Sequence, residues 1–187
     1  MNRHDIEFQV RLLSDRHPDR NMDAQYKTDL QQLLAQRQPA VVLCLGAPCP
    51  TLFQEYRQAA DGRSLLTPRL DELDAALENT GRIDLTFVAD TLEHMDKEPA
   101  LHLLARLRDL HGGHVVLLLP LGNRPGQRSS WNDGELLAMG LLQLGRYHGS
   151  DGDSALFVFD IDEYKTTPDW LNARFWAHPE RWDKDFW

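Results

Sequence analysis

Apolar residues recur along this chain at two spacings, and the points where one gives way to the other outline its architecture. Over residues 5–14 (Ile6, Val10, Leu13) and 22–37 (Tyr26, Leu30, Leu33, Leu34) they fall three or four apart, the period of a helix face, with His17-Pro18 between the two runs. From residue 40 the pattern changes. "AVVLCL" (40–45) is an unbroken apolar run of strand length, as expected of a parallel strand covered on both faces, and "RIDLTFVAD" (82–90) and "GGHVVLLLP" (112–120) repeat it. "SLL" (64–66) is a shorter candidate.

Helix signals alternate with these strands. Thr51 and Gln54 have the spacing of a capping box and predict a helix over Leu52–Asp61, closed by Gly62. Thr67-Pro68 predicts another, with Asp71 and Glu72 in its first turn where the dipole favours acids, and Gly81 ends it. Asp90 with Glu93 forms a second box before a helix over about residues 99–110. Asn132 with Glu135 forms a third, before "DGELLAM" and Gly140. Finally "LLQLGRYHG" and "SALFVFDID" flank the turn Ser150-Asp-Gly-Asp153, which predicts an antiparallel hairpin.

Strand–helix alternation ending in a hairpin predicts an α/β fold: a Rossmann-like, mainly parallel sheet with helices on both faces. Ligands of such sheets bind beyond the carboxyl ends of the strands, which here means the loop after Leu45 and the region around Asp90. The chain divides into a helical lead-in (1–38), the α/β domain (39–161) and a C-terminal segment (162–187). That last segment holds Trp170, Trp176, Trp182 and Trp187 with Phe175 and Phe186 between them. So aromatic a stretch is expected to pack on its own domain, or alternatively on a partner protein or a second copy of the chain.

Bulk properties narrow the function. A chain of 187 residues with 42% apolar and 26% charged content fits one soluble domain with appendages, and no apolar run approaches the roughly 20 residues of a membrane helix. The N-terminus lacks the uncharged core of a signal peptide, so a cytoplasmic location is expected. A net charge of −9 with scattered basic residues disfavours nucleic acid. Cys44 and Cys49 lack Cys-x-x-Cys spacing, and Cys44 is expected to be a core residue. No metal is expected: the acid-rich "DGDSALFVFDID" lacks the Gly and Glu positions of a calcium loop, and His111 and His114 stand too close and too alone. Arg124 and Arg128, in the Gly- and Pro-rich loop 121–131, are candidate anion contacts.

Residues 82–120 resemble the fourth strand, the Asp-x-Leu-Glu-His segment, the following helix and the fifth strand of class I S-adenosylmethionine-dependent methyltransferases. Residues 132–160 resemble that family's last helix and terminal hairpin. The whole chain, with its Trp-rich end, is also similar to a bacterial family of short proteins of unknown function. The methyltransferase resemblance implies S-adenosylmethionine as cofactor, Gly46 and Asp90 as its contacts, and Asp90 and His94 as catalytic candidates.

Three departures weigh against that activity. Where the family reads Val-Leu-Asp-Leu-Gly-Cys-Gly-Pro-Gly, this chain places Cys44 at the acid and Pro48 and Pro50 at the second and third glycines, so only Gly46 remains of a degenerate cofactor loop. Proline fixes φ and deletes an N–H that would face a ligand. Thr67 follows "SLL" where the family has a ribose-binding acid, and residues 63–82 leave no room for the family's third strand. Asp90, with Glu93 three positions on, is also read as a helix cap. The expectation is a methyltransferase-like, non-catalytic protein that takes no cofactor and serves as a binding or interaction module. The alternative is an active methyltransferase on a small-molecule acceptor, with the loop 121–131 closing over it.

Overall fold

Every central strand alternates its side chains between two apolar layers, which is why the runs read as continuous in the sequence. The computed structural model describes residues 22–111 and 113–161. Helix α1 (Met22–Arg37) leads into β1 (Val41–Leu45), α2 (Cys49–Gln58) and β2 (Ser64–Leu66). A 3-10 turn (Leu70–Glu72) and α3 (Leu73–Asn79) precede β3 (Leu85–Ala89). A second 3-10 turn (Leu92–His94) then leads to α4 (Lys97–Arg106), which continues as a π-helical turn to His111. The chain goes on through β4 (His114–Pro120), α5 (Asp133–Ala138), β5 (Leu142–Gly149) and β6 (Gly152–Asp160).

The six strands form one sheet in the order β2-β1-β3-β4-β6-β5. β1 pairs in parallel with β2 and β3, and β3 with β4, whereas β6 runs antiparallel to both β4 and β5. This is the expected Rossmann-like, methyltransferase-type sheet with its terminal hairpin. Among the described residues no further strand lies between β2 and β3 in the chain, as the short span between residues 63 and 82 predicts.

Val42 and Cys44 of β1, Leu85 and Phe87 of β3, Val116 of β4 and Leu156 of β6 face one side, where Tyr26, Leu30 and Leu34 of α1 and Phe53 of α2 cover them. Leu43 and Leu45, Val88, Val115 and Leu117, and Phe157 and Phe159 face the other side, under α3, α4 and α5. Helix α1 thus shares with α2 the covering of one face of the sheet. Its C-terminal Arg37 ion-pairs with the buried Asp160 at the end of β6, and His114 lies 3.2 Å from the same carboxylate. The expected helix over residues 5–14 and the Trp-rich segment lie outside the described residues.

Several local expectations need correction. α2 starts at Cys49, three residues before the position predicted from Thr51 and Gln54, and its N-cap is Pro48 at φ −71, ψ −17 with no side-chain cap bond. Both prolines suit that place: the ring of Pro48 already holds a helical φ, and Pro50 stands in the first turn, where no N–H is needed. Thr67-Pro68 does not open a helix either, because Arg69 stays extended and the chain turns only at Leu70. Asn132 and Glu135 do form a reciprocal capping box.

Cys44 and Cys49 are bonded to each other as a disulfide. Cys44 is in the core as predicted, but not as a free thiol. A Cys-x-x-Cys search misses the pair because four residues, not two, carry the chain from the end of a strand into the next helix.

Candidate functional site

The carboxyl ends of β1 and β3 lie side by side, with Leu45 opposite Val88, so the chain segments that leave them are neighbours at the end of the sheet where a ligand crevice is expected. On the β1 side the loop is only Gly46-Ala47-Pro48 before the α2 residues begin. Gly46 has φ +111, and a Cβ there would stand 1.6 Å from the Ala89 carbonyl oxygen and 2.9 Å from Thr91 Oγ1. The loop therefore presses directly on the end of β3. Glycine is required at that contact by the fold itself, with or without a ligand. The Cys44–Cys49 bond ties the same loop at its base, and both cysteines are almost fully buried.

On the β3 side the chain turns sharply at Asp90, whose φ of +49 lies in the left-handed region that Asp and Asn tolerate better than most residues. The expected Asp90–Glu93 capping box does not form, and the N-cap of the following 3-10 turn is Thr91. Glu93 Oε2 accepts the Thr91 N–H at 3.0 Å, but the Asp90 carboxylate turns away and lies 2.8 Å from His94 Nε2. Asp90 is thus not the helix cap predicted for it. Both members of the Asp90–His94 pair are about half exposed, while Glu93 beneath them is buried. Burial raises the Glu93 carboxyl above its ordinary value, against the opposing pull of its own and the Thr91 main-chain N–H groups and of His94.

Ligand atoms of Asp90, Glu93 and His94 lie within 4.8 Å of one another, so the three could jointly approach a divalent cation. Each already has a partner within the protein: His94 for Asp90, and a main-chain N–H for Glu93. What the arrangement offers directly is an exposed carboxylate–imidazole pair, able to orient a base toward a proton on a molecule held in the crevice.

The loop 121–131 is fastened rather than free. The main-chain N–H groups of Arg128 and Ser129 donate to the Glu93 carbonyl, Ser129 Oγ donates to the Leu92 carbonyl, and Gly122 N–H donates to Trp131 O. Trp131 is buried and donates to Ser129 Oγ, with Lys97 Nζ 3.5 Å from its ring centre. The two arginines proposed as anion contacts have protein partners: Arg124 donates to the Asp153 carbonyl, and Arg128 to the Asp96 carboxylate at 2.6 Å. Beyond β2 the chain continues with Thr67 and Pro68, neither of them an acid.

Residues 24–187 match the model of a family described as a family of unknown function, DUF6231. A comparison with curated protein sequences gives no match. Among solved structures, the fold is similar to the magnesium protoporphyrin IX methyltransferase of Synechocystis PCC 6803 with bound SAH, at TM-score 0.54 and 15% identity, over 84% of this chain and 94% of that one. The small RNA methyltransferase HEN1 matches at TM-score 0.51 and 12% identity, over 76% of this chain and 26% of its own. The methyltransferase domain of bacterial CtHen1-C matches at TM-score 0.51 and 13% identity, over 75% and 99%. At such identities these likenesses establish the fold.

Proposed function

We propose, on the premise that this chain belongs to the DUF6231 family and has a methyltransferase fold, that it is a binding or interaction module that does not use S-adenosylmethionine in the ordinary way. The observation that carries this reading is the closed β1–α2 turn. It is cross-linked by Cys44–Cys49, it begins a helix on two prolines, and its one glycine is held against Ala89. Neither Pro48 nor Pro50 has a main-chain N–H to offer a ligand, and no acid follows β2 to take a ribose. Both devices by which such a fold holds adenosine are missing, so fold similarity alone does not bring the activity with it.

Calorimetric titration and thermal melting with S-adenosylmethionine and S-adenosylhomocysteine test this. A ligand selective for the folded state raises stability by RT ln(1 + [L]/Kd), so on this reading a millimolar concentration leaves the melting curve unmoved. Micromolar affinity in the unmodified protein would overturn it. The variant Pro48→Gly with Pro50→Gly separates the causes: recovered affinity assigns the loss to the prolines, and continued inertness to the missing acid and the cross-link.

One observation favours the second reading, an active methyltransferase on a small-molecule acceptor. The exposed Asp90–His94 pair lies just past the end of β3, and on this reading it serves as the base that removes an acceptor proton. The same titration decides between the two, because that reading requires the cofactor to bind.

A further inference from the structure

A cross-link between residues five apart encloses little more than Leu45–Pro48, and closing so short a loop constrains the unfolded chain less than a long-range bond would. Its principal effect is therefore local. Cys44 belongs to β1, which is held on both sides by β2 and β3 and cannot shift without the sheet. Cys49 belongs to the first turn of α2, where the hydrogen bonding is thin. The Cys49 N–H reaches the Gly46 carbonyl at 3.3 Å, the Leu52 N–H reaches the Pro48 carbonyl at 3.1 Å, and Pro48 as N-cap adds no side-chain bond. The two cysteines belong to the same core layer as Phe53 and Phe87, while Ala47 and Pro50, their neighbours in the chain, are exposed.

We propose that Cys44–Cys49 is a redox latch on the crevice: bonded, it holds Gly46–Pro48 and the first turn of α2 against the end of β3; reduced by a dithiol, it lets that turn move away and the crevice open. The chemistry is thiol–disulfide exchange. One thiolate of the dithiol attacks a protein sulfur to form a mixed disulfide, and its second thiol displaces the protein. Two cysteine thiols and a cyclic disulfide result, with two electrons and two protons passed to the protein. Two sulfurs that are no longer bonded must separate to van der Waals contact. Because Cys44 is fixed in the sheet, the displacement falls on Cys49 and its helix turn, drawing Gly46 off the Ala89 carbonyl. The latch rests on the reading of this crevice as the ligand end of the fold, and it is independent of which ligand enters.

Hydrogen–deuterium exchange of the full chain, before and after dithiothreitol, tests it. Reduction is expected to accelerate exchange at least tenfold at Cys49, Leu52 and Phe53, with β4 and β6 unchanged. Unchanged exchange at those amides, or equal acceleration throughout the sheet, would overturn the latch. The double variant Cys44→Ser with Cys49→Ser should match the reduced protein and be indifferent to dithiothreitol; a response to the reductant in that variant would count against the bond as the cause. If the variant does not fold, the reduced wild-type protein still gives the answer. Parallel titration with S-adenosylhomocysteine keeps the two proposals apart. Binding by the bonded form overturns the non-cofactor reading and leaves the latch standing, whereas a failed exchange result does the reverse.

Discussion

If Gly46 is retained for the fold and not for a cofactor, adding one methyl group there should damage stability whether or not any ligand exists. In Gly46→Ala the new Cβ meets the Ala89 carbonyl oxygen at 1.6 Å, where ordinary contact begins at 3.4 Å, and the obstacle is backbone at the end of β3, paired with β4, and not the far end of a flexible side chain. Two costs combine: an L side chain at φ +111, about 1–3 kcal/mol, and forced overpacking, about 1–3 kcal/mol. A total of about 4 kcal/mol lowers the melting temperature of a chain this size by about 10 °C.

Gly62→Ala is the internal control. Its φ of +86 imposes a similar backbone cost, but nothing lies within 4 Å of the added Cβ, so it should lose only about 1–2 kcal/mol. Urea denaturation with m held common to the three proteins measures both losses on one scale. The argument fails if the two variants are destabilised equally, since the contact with Ala89 would then contribute nothing.

Two further predictions concern pH. Burial acts to raise the Asp160 carboxyl, but hydrogen bonds from His114 and Arg37 and their charges outweigh it and hold the group well below the usual carboxylate range. Its stabilisation is therefore complete above the unfolded value near 3.8 and is lost as pH falls through the folded one, so the advantage of wild type over Asp160→Asn, about 3 kcal/mol at neutral pH, should shrink in acid; an advantage independent of pH would refute the pairing. Glu93 has the opposite sign: burial raises its pKa, so its favourable contribution is present below the unfolded value near 4.5 and is lost as pH rises through the folded one. Glu93→Gln should accordingly gain on wild type between acid and neutral pH in urea melts, and a wild type that instead gains on the variant would show that the main-chain N–H bonds outweigh burial.

Much of the fold is legible in the sequence because burial on both faces leaves a dense signal: "AVVLCL", "RIDLTFVAD" and "GGHVVLLLP" became β1, β3 and β4, and Asn132 with Glu135 capped α5, a contact made within four residues. The shortage of residues between 63 and 82 likewise determined that the sheet stops at β2. What the sequence could not decide are contacts whose partners are distant, or whose geometry depends on where the chain turns. Asp90 and Glu93 have capping-box spacing, yet the left-handed turn at Asp90 sends its carboxylate to His94 and leaves Glu93 alone to reach the main chain. Pro48 and Pro50 read as ligand-excluding loop residues and became helix initiators, because their fixed φ suits a helix start as well as it suits a rigid loop. Cys44 and Cys49 meet because α2 begins at once after β1. Gly46 owes its necessity to the Ala89 carbonyl, 43 positions away in the chain, so only pairing of β1 with β3 could turn an apparent relic of a cofactor loop into a structural requirement.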